Sequence, residues 1–140
     1  MRIETITHGD KKELFAIRKQ VFVNEQGVPE ELEQDEYDER AIHFLAKVNG
    51  RPVGTARMRW IDDHTVKAER VAVRPSHRGI GIGRAIMEHL EQHARACQAT
   101  AVELHAQQSA RLFYERLNYI AFGEPFLDAG MEHIAMRKVL

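Results

Sequence analysis

The period at which apolar residues recur changes along the chain, and each change marks an element. Ile3 and Thr5 alternate with Glu4 and Ile6, which reads as a short first strand over 2–7. Asp10-Lys11-Lys12-Glu13 has the form of a capping box. Leu14, Ile17 and Val21 then fall on one helical face, with Phe15 and Phe22 beside it, up to a stop at Gly27-Val28-Pro29. From Ala41 the period is two. Ile42, Phe44, Ala46 and Val48 share a face, Asn49-Gly50 is a strong hairpin signal, and Pro52–Ile61 returns as the partner strand. Asp62-Asp63-His64 turns into a third strand, Thr65–Arg74. Plain alternation there places Lys67, Glu69, Val71 and Val73 on one face and Ala68, Arg70, Ala72 and Arg74 on the other. After a glycine-rich stretch, Ile86, Leu90 and Ala94 carry the stripe of a helix, with Ile82 and Cys97 at its ends. Ala101–Ala106 reads as a strand and Ser109–Leu117 as a helix stopped at Asn118. Ile120–Phe122 and His133–Val139 read as the last two strands. With no repeat or linker, the expectation is one domain over 1–140. Its class is α+β, a central mixed sheet with helices on both faces in three layers.

Composition narrows the function classes. Lysine and arginine number 20 against 21 acids, a net charge of −1, which lacks the basic excess of a general nucleic-acid binder. The apolar runs are too short to span a membrane, and Met1-Arg2-Ile3-Glu4 opens no signal peptide, so a cytoplasmic protein is expected. The single cysteine, Cys97, excludes an internal disulfide and reads as a small packed residue. His89 and His93 are one helical turn apart but lack the His-Glu-x-x-His form and a third ligand, so no metal is expected. Glu30–Glu39 is dense in acids and reads either as a solvated face or as an acidic rim that draws in a cationic amine.

The stretch with most chemical content is Arg78-Gly79-Ile80-Gly81-Ile82-Gly83, between the strand that ends Val71-Ala72-Val73 and the helix that continues from Arg84. A strand, a glycine loop and a helix N-terminus in that order offer free amides and the positive end of a helix dipole to an anion. Arg74, His77, Arg78 and Arg84 flank it, and no acid occurs between Glu69 and Glu88. The dinucleotide fingerprint fails in both registers, where Arg84 or Ile86 stands in place of the third glycine, and no Gly-Lys-Ser/Thr exists. The loop reads as a pyrophosphate cradle, or as a bare strand-to-helix turn.

These residues resemble a known family. Arg78, Gly81 and Gly83 in Arg-x-x-Gly-x-Gly, preceded by Val71–Pro75, look like the acetyl-coenzyme-A signature of the GNAT superfamily of N-acetyltransferases. Ala110–Tyr119 is similar to that family's late helix, Ala-x-x-Phe-Tyr-x-x-x-Gly-Phe. Val21–Gln26 and Phe126–His133 resemble the ElaA/YjcF-like subgroup. The resemblance covers nearly the whole chain and implies a GNAT-like sheet of about six to seven strands, mostly antiparallel. It also implies acetyl-CoA as acyl donor and direct transfer of its acetyl group to a primary amine, of a small molecule or of a protein lysine or N-terminus. The alternative is a catalytically weak acyl-CoA-binding sensor or interaction module on the same fold. Many relatives pair through late strands, so a homodimer is a further expectation.

The resemblance assigns cofactor contacts to Val71, Ala72, Val73, Arg78, Gly79, Ile80, Gly81, Ile82, Gly83, Arg84, Gln107, Ala110 and Phe113, with strand amides around Val71–Val73 holding the oxyanion. Gln107 stands where many relatives have asparagine, and Asn118 replaces the usual glycine. Tyr114 is the candidate general acid. A phenol with pKa near ~10 can sit beside a thiol of about 8.5 without ionising, and the alternative is a packed tyrosine with its hydroxyl tied. An alkyl ammonium near ~10.4 must lose a proton before it attacks. Glu69 is the candidate base, directly or through water, on the premise that it shares the face of Val71 and Val73. An ordinary ion pair with Arg57, Arg59 or Lys67 is the competing role. Glu103, His105, Glu25 and His43 are further candidates for the base through water, and Glu25, Gln26, His43 and His105 are candidates on the acceptor side. The stretches Glu25–Asp38 and Phe126–Glu132 are expected to shape the acceptor pocket.

Overall fold

The computed structural model describes residues 1–140. Seven strands form one sheet: β1 (Arg2–Ile6), β2 (Ile42–Val48), β3 (Arg51–Trp60), β4 (Thr65–Val73), β5 (Ala101–Gln107), β6 (Ile120–Asp128) and β7 (Met131–Val139), in the spatial order β1-β2-β3-β4-β5-β7-β6. Every neighbouring pair is antiparallel except β4 and β5. That parallel pair needs a crossover, supplied by helix α3 (Ile82–Ala96).

Helix α1 (Lys12–Arg18) runs into a wider π-helical turn, Lys19–Glu25, and covers one face of the sheet. Leu14, Ile17 and Val21 pack there against Leu45 and Ala72. The opposite face carries the larger core, where Ile82, Ile86, Met87, Leu90 and Ala94 of α3 meet Phe44, Ala46, Met58, Val66 and Leu104. Helix α4 (Arg111–Glu115) adds Tyr114 on the same side, and Leu117 follows just beyond it. Between the layers, Gly54 of β3 lies so close to α3 that a Cβ there would stand 2.7 Å from Ile86 Cδ1 and 3.2 Å from the Ala72 carbonyl oxygen. The β2–β3 turn uses Asn49 (φ 51°) and Gly50 (φ 79°), the left-handed pair a two-residue hairpin requires. Asn118 ends the α4 segment at φ 74°. No helix is long and apolar enough to cross a membrane.

Several local expectations change. Asp10 accepts from the Lys12 amide at 2.9 Å, but Lys11 is the N-cap and Glu13 does not reach back, so there is no capping box. Cys97 is exposed, because it caps the C-terminus of α3 beyond the last buried turn. β6 continues past Phe122 through an irregularity before Phe126, so Phe126–Asp128 belongs to a hairpin rather than a loop. His89 and His93 flank the Phe44 ring edge-on at 5.5 and 5.6 Å.

The acidic stretch is neither simply solvated nor a free rim. A four-residue helix, α2 (Glu30–Glu33), and a following turn at Glu36–Glu39 carry Glu33 and Asp38 into the interior. Arg18, 1% exposed, donates to Glu33 at 2.9 Å and to Asp38 at 2.7 Å. Arg57, also 1% exposed, bridges Asp38, Asp35 and Glu69. A buried charge needs such partners, and this network clamps the acidic stretch over the sheet beside the end of β4.

Candidate active site

The site is built where β4 and β5 part. They are paired only from Thr65↔Ala101 to Ala68↔Leu104, yet β4 runs on to Val73 and β5 to Gln107. A bulge accompanies the parting. Opposite Ala56 of β3, β4 spends two residues, Arg70 and Val71, between the pairs Arg57↔Glu69 and Thr55↔Ala72. Arg70 takes the left-handed conformation, φ 54°. A bulge bends and further twists its strand, which accounts for β4 swinging away from β5. It also reverses the alternation of side chains. Ala68, Val71 and Val73 face the α3 core, whereas Ala72 faces α1. Glu69 therefore does not share a face with Val71 and Val73, and the premise behind its candidacy as base fails.

Beyond the split, the backbone of β4 has one side with no strand partner. The Arg74 amide donates to Val53 of β3 at 2.8 Å. Because strand backbone groups alternate sides, the amides of Val71 and Val73 point away from β3, into the opening. The Val73 carbonyl accepts there from Arg78 Nε at 2.9 Å. At the adjacent glycine loop, none of the amides from Gly79 to Arg84 donates within the protein, and the first helical bond is Ala85 to Gly81 at 3.0 Å. Gly81 caps α3 at φ 91°, a conformation costly for a side-chain-bearing residue. A Cβ on Gly83 would come within 3.2 Å of the Phe113 ring, so α4 closes directly on the first turn of α3.

A cavity of about 690 Å³ fills the split. It brings together Val71, Ala72, Val73, Arg78, Gln107 and Ala110 from the expected cofactor set. Glu69, Tyr114, Gln26 and His105 line it too. Gly79–Gly83, Arg84 and Phe113 lie outside it. Arg84 pairs with Glu88 at 2.8 Å along the exposed side of α3, and Phe113 packs on Gly83. The π-helical turn brings two side chains to this opening. Glu25 holds Arg78 through two 2.7 Å bonds, and Gln26 and Gln107 exchange side-chain amide bonds, the shorter 2.8 Å. Glu25 is thus engaged with the expected phosphate ligand rather than lining the acceptor pocket. His43 is fully buried, with Nε2 donating to the Asp38 carbonyl at 2.8 Å, so it does not reach an acceptor.

Electrostatics separate the remaining candidates. Burial alone would raise the Glu69 carboxyl, but the hydrogen bond from Arg59 and the charges of Arg57 and Lys67 outweigh it and hold the pKa at about 2. At neutral pH it is a weakly basic carboxylate locked in ion pairs, the competing role named above. Glu103 is likewise engaged, accepting from Arg137 at 2.7 Å. His105 is different: burial, then the charge of Lys67, pushes its pKa below the ordinary imidazole value, which keeps the ring neutral and able to accept a proton. Tyr114 is buried, which pushes its phenol up and keeps it protonated. Its hydroxyl makes no hydrogen bond inside the protein although the residue lines the cavity. Hairpin residues Asp128, Ala129, Met131 and His133 complete the wall. Of these, Asp128 carries chemistry that the sequence pattern had not singled out.

A mixed seven-stranded sheet parted between its two parallel strands, with free amides where one of them hands over to a helix, defines an acyltransferase of the GNAT class. The family model described as "Acetyltransferase (GNAT) domain" matches residues 5–140, and the chain belongs to that family. Within it the chain sits with the ElaA/YjcF-like members. The uncharacterized N-acetyltransferase YjcF of Bacillus subtilis is 41% identical over 128 residues, covering 91% of each chain. The crystal structure of Escherichia coli ElaA superposes with a TM-score of 0.84 at 26% identity over 98% of both chains. A GNAT family acetyltransferase from Elizabethkingia anophelis, solved with acetyl-CoA bound, shares the fold at a TM-score of 0.80 and 17% identity, over 99% of this chain and 97% of that one.

Proposed function

We propose that this acetyltransferase uses acetyl-CoA and moves its acetyl group directly to the primary amine of an acceptor bound in the same cavity. The observation that carries the reading is the coincidence of two sets of free backbone amides with one unbonded phenol. Amides of Gly79–Arg84, with Arg78, suit a diphosphate. The open edge of β4 suits an extended amide-bearing arm, and the cavity between them is large enough for a ligand. The donor supplies an activated thioester carbonyl. Val71 and Val73 amides donate to that oxygen as charge develops on it. Tyr114 gives its proton to the departing sulfur and recovers one as the amide forms, so the pair of proton transfers balances. The acceptor enters as an ammonium and loses two protons. His105 takes the first, before attack, and releases it to solvent; the second, lost as the amide forms, is the one that restores the Tyr114 phenol. The strongest support for Tyr114 over a packing role is that its hydroxyl is free while the rest of its ring is buried.

Calorimetric titration with acetyl-CoA, together with coenzyme A release across a panel of amines, tests the reading. Gly81→Glu is expected to abolish binding while far-ultraviolet circular dichroism stays native, because the substitution strains φ 91° and sets a carboxylate against the diphosphate. Retained affinity would move the phosphate site elsewhere, and binding without turnover on any amine would favour the sensor alternative. The proposed quaternary state is a homodimer through β6. This edge strand exposes Ile120 (74%) and Leu127 (75%), and an unpaired strand edge invites a second chain. Light scattering is expected to give twice the chain mass, and Ile120→Lys with Leu127→Lys a monomer.

A further inference from the structure

We propose that the acceptor is an aliphatic amine bearing a second, non-reacting ammonium group and no carboxylate, and that Asp128 holds this second cation. The inference rests on the acetyl-transfer reading and adds the charge of the acceptor to it. Lys67 is paired with Glu69 at 3.3 Å, Arg70 with Glu33 at 3.0 Å and Asp35 at 3.2 Å, and Arg78 with Glu25 at 2.7 Å. Every lysine and arginine on the wall thus has a protein carboxylate as counterion. Glu33 and Glu69 are the other halves of those pairs. Asp128 stands at the solvent-exposed rim of the same wall, at the end of β6 beside the Ala129-Gly130 turn, and makes no ion pair or hydrogen bond in the protein. The one uncompensated side-chain charge of the cavity is negative.

Two consequences follow from chemistry. The carboxylate of an amino acid would find no free cation on this wall and would meet Asp128 instead, so zwitterionic acceptors are disfavoured. A carboxylate paired with the reacting nitrogen would stabilise its ammonium form and oppose attack. Asp128 is therefore useful only to a different nitrogen of the same molecule. The reacting nitrogen needs a neutral acceptor nearby, and His105, packed edge-on against Phe126 at 4.9 Å, is the cavity group suited to it. His133 stacks on the other side of Phe126 at 5.8 Å, and its Nδ1 donates to the Met131 carbonyl. Val28, Leu32 and Met131 give the wall apolar surface for a methylene stem between the two amines.

The test compares initial rates of coenzyme A release with 1,4-diaminobutane, n-butylamine and ornithine, which differ in the second amine and in the carboxylate. The diamine is expected to exceed the other two in kcat/KM by about tenfold or more, the equivalent of one ion pair. Asp128→Asn is expected to collapse that preference to within about threefold, chiefly through KM, and Asp128→Glu to restore most of it. Equal rates for diamine and monoamine, ornithine as the best substrate, or an equal loss with butylamine in Asp128→Asn would each overturn the proposal. So would turnover of none of the three by a protein that binds acetyl-CoA. Absence of acetyl-CoA binding itself would instead remove the transferase reading beneath it.

Discussion

Tyr114 and Tyr119 lie five positions apart with their rings edge to face at 5.8 Å, and both are buried. Their hydroxyls have opposite fates. Tyr119 donates to Glu91 Oε2 at 2.8 Å, and Lys138 completes that carboxylate at 2.7 Å on the other oxygen. Tyr114 reaches the split between β4 and β5 and bonds to nothing in the protein. Sealing a polar group in a fold normally requires a partner, so a buried ring whose hydroxyl stays free at a cavity is available for a ligand. The carboxylates divide by burial instead: Glu33 and Asp38 are buried, whereas Asp128 is exposed at the cavity rim. Glu33, Asp38 and Glu69 are consumed by arginines, while Asp128 is not.

The contrast between the two tyrosines can be broken directly. Tyr114→Phe is expected to lower kcat by about a hundred- to ten-thousandfold, with acetyl-CoA affinity and melting temperature little changed. Tyr119→Phe is expected to do the reverse, leaving turnover near wild type and costing about 1–3 kcal/mol in urea unfolding, since Glu91 stays buried with one donor fewer. Equal losses of activity in both variants would show that the ring, not the free hydroxyl, matters.

Among the consumed carboxylates, Asp38→Asn is expected to destabilise by about 3–5 kcal/mol, because it leaves Arg18 and Arg57 buried and short of charge. Denaturant midpoints check this, and a change below about 1 kcal/mol would show the network to be loosely coupled. The smallest effect is a pH signature. The folded pKa of His43 is depressed mainly by burial, so as pH falls through 6.5 the unfolded chain takes up protons first and stability declines. Glu69 and Asp38 are depressed as carboxylates, so their contribution is present above the ordinary value, 4.5 for Glu69. It is lost as pH falls from there toward about 2. Unfolding free energy measured against pH should fall in two stages, and His43→Gln should remove part of the upper one.

Much of this architecture was legible because the signals were local. Asn49-Gly50 needed only turn chemistry, and the order of strand, glycine loop and helix around Gly81 needed only the spacing of three glycines. The short helix that carries Tyr114 was legible through the resemblance of Ala110–Tyr119. The failures share another cause, since each depends on what lies across space. Period-two alternation assigned Glu69 to the face of Val71, and only pairing with β3 reveals that Arg70 and Val71 together oppose Ala56. The run Glu30–Glu39 looked hydrophilic because its counterions, Arg18, Arg57 and Arg70, come from other elements. Asp128 fell within Phe126–Glu132, the stretch expected to shape the acceptor pocket, but no pattern set it apart from its neighbours. Its significance is the lack of a partner, which appears only when every other charge on the wall has been matched.

Gly54 remains a structural detail with long reach. A methyl group there would have to displace Ile86, one turn along the helix from the loop whose amides stand open. The Ala72 carbonyl oxygen and Ile82 also stand within 3.3 Å of that position, so the first turns of α3 rest on bare backbone there. If the loop holds the donor's diphosphate as proposed, a side chain introduced at Gly54 would act on it through the packing of a layer rather than by touching the loop.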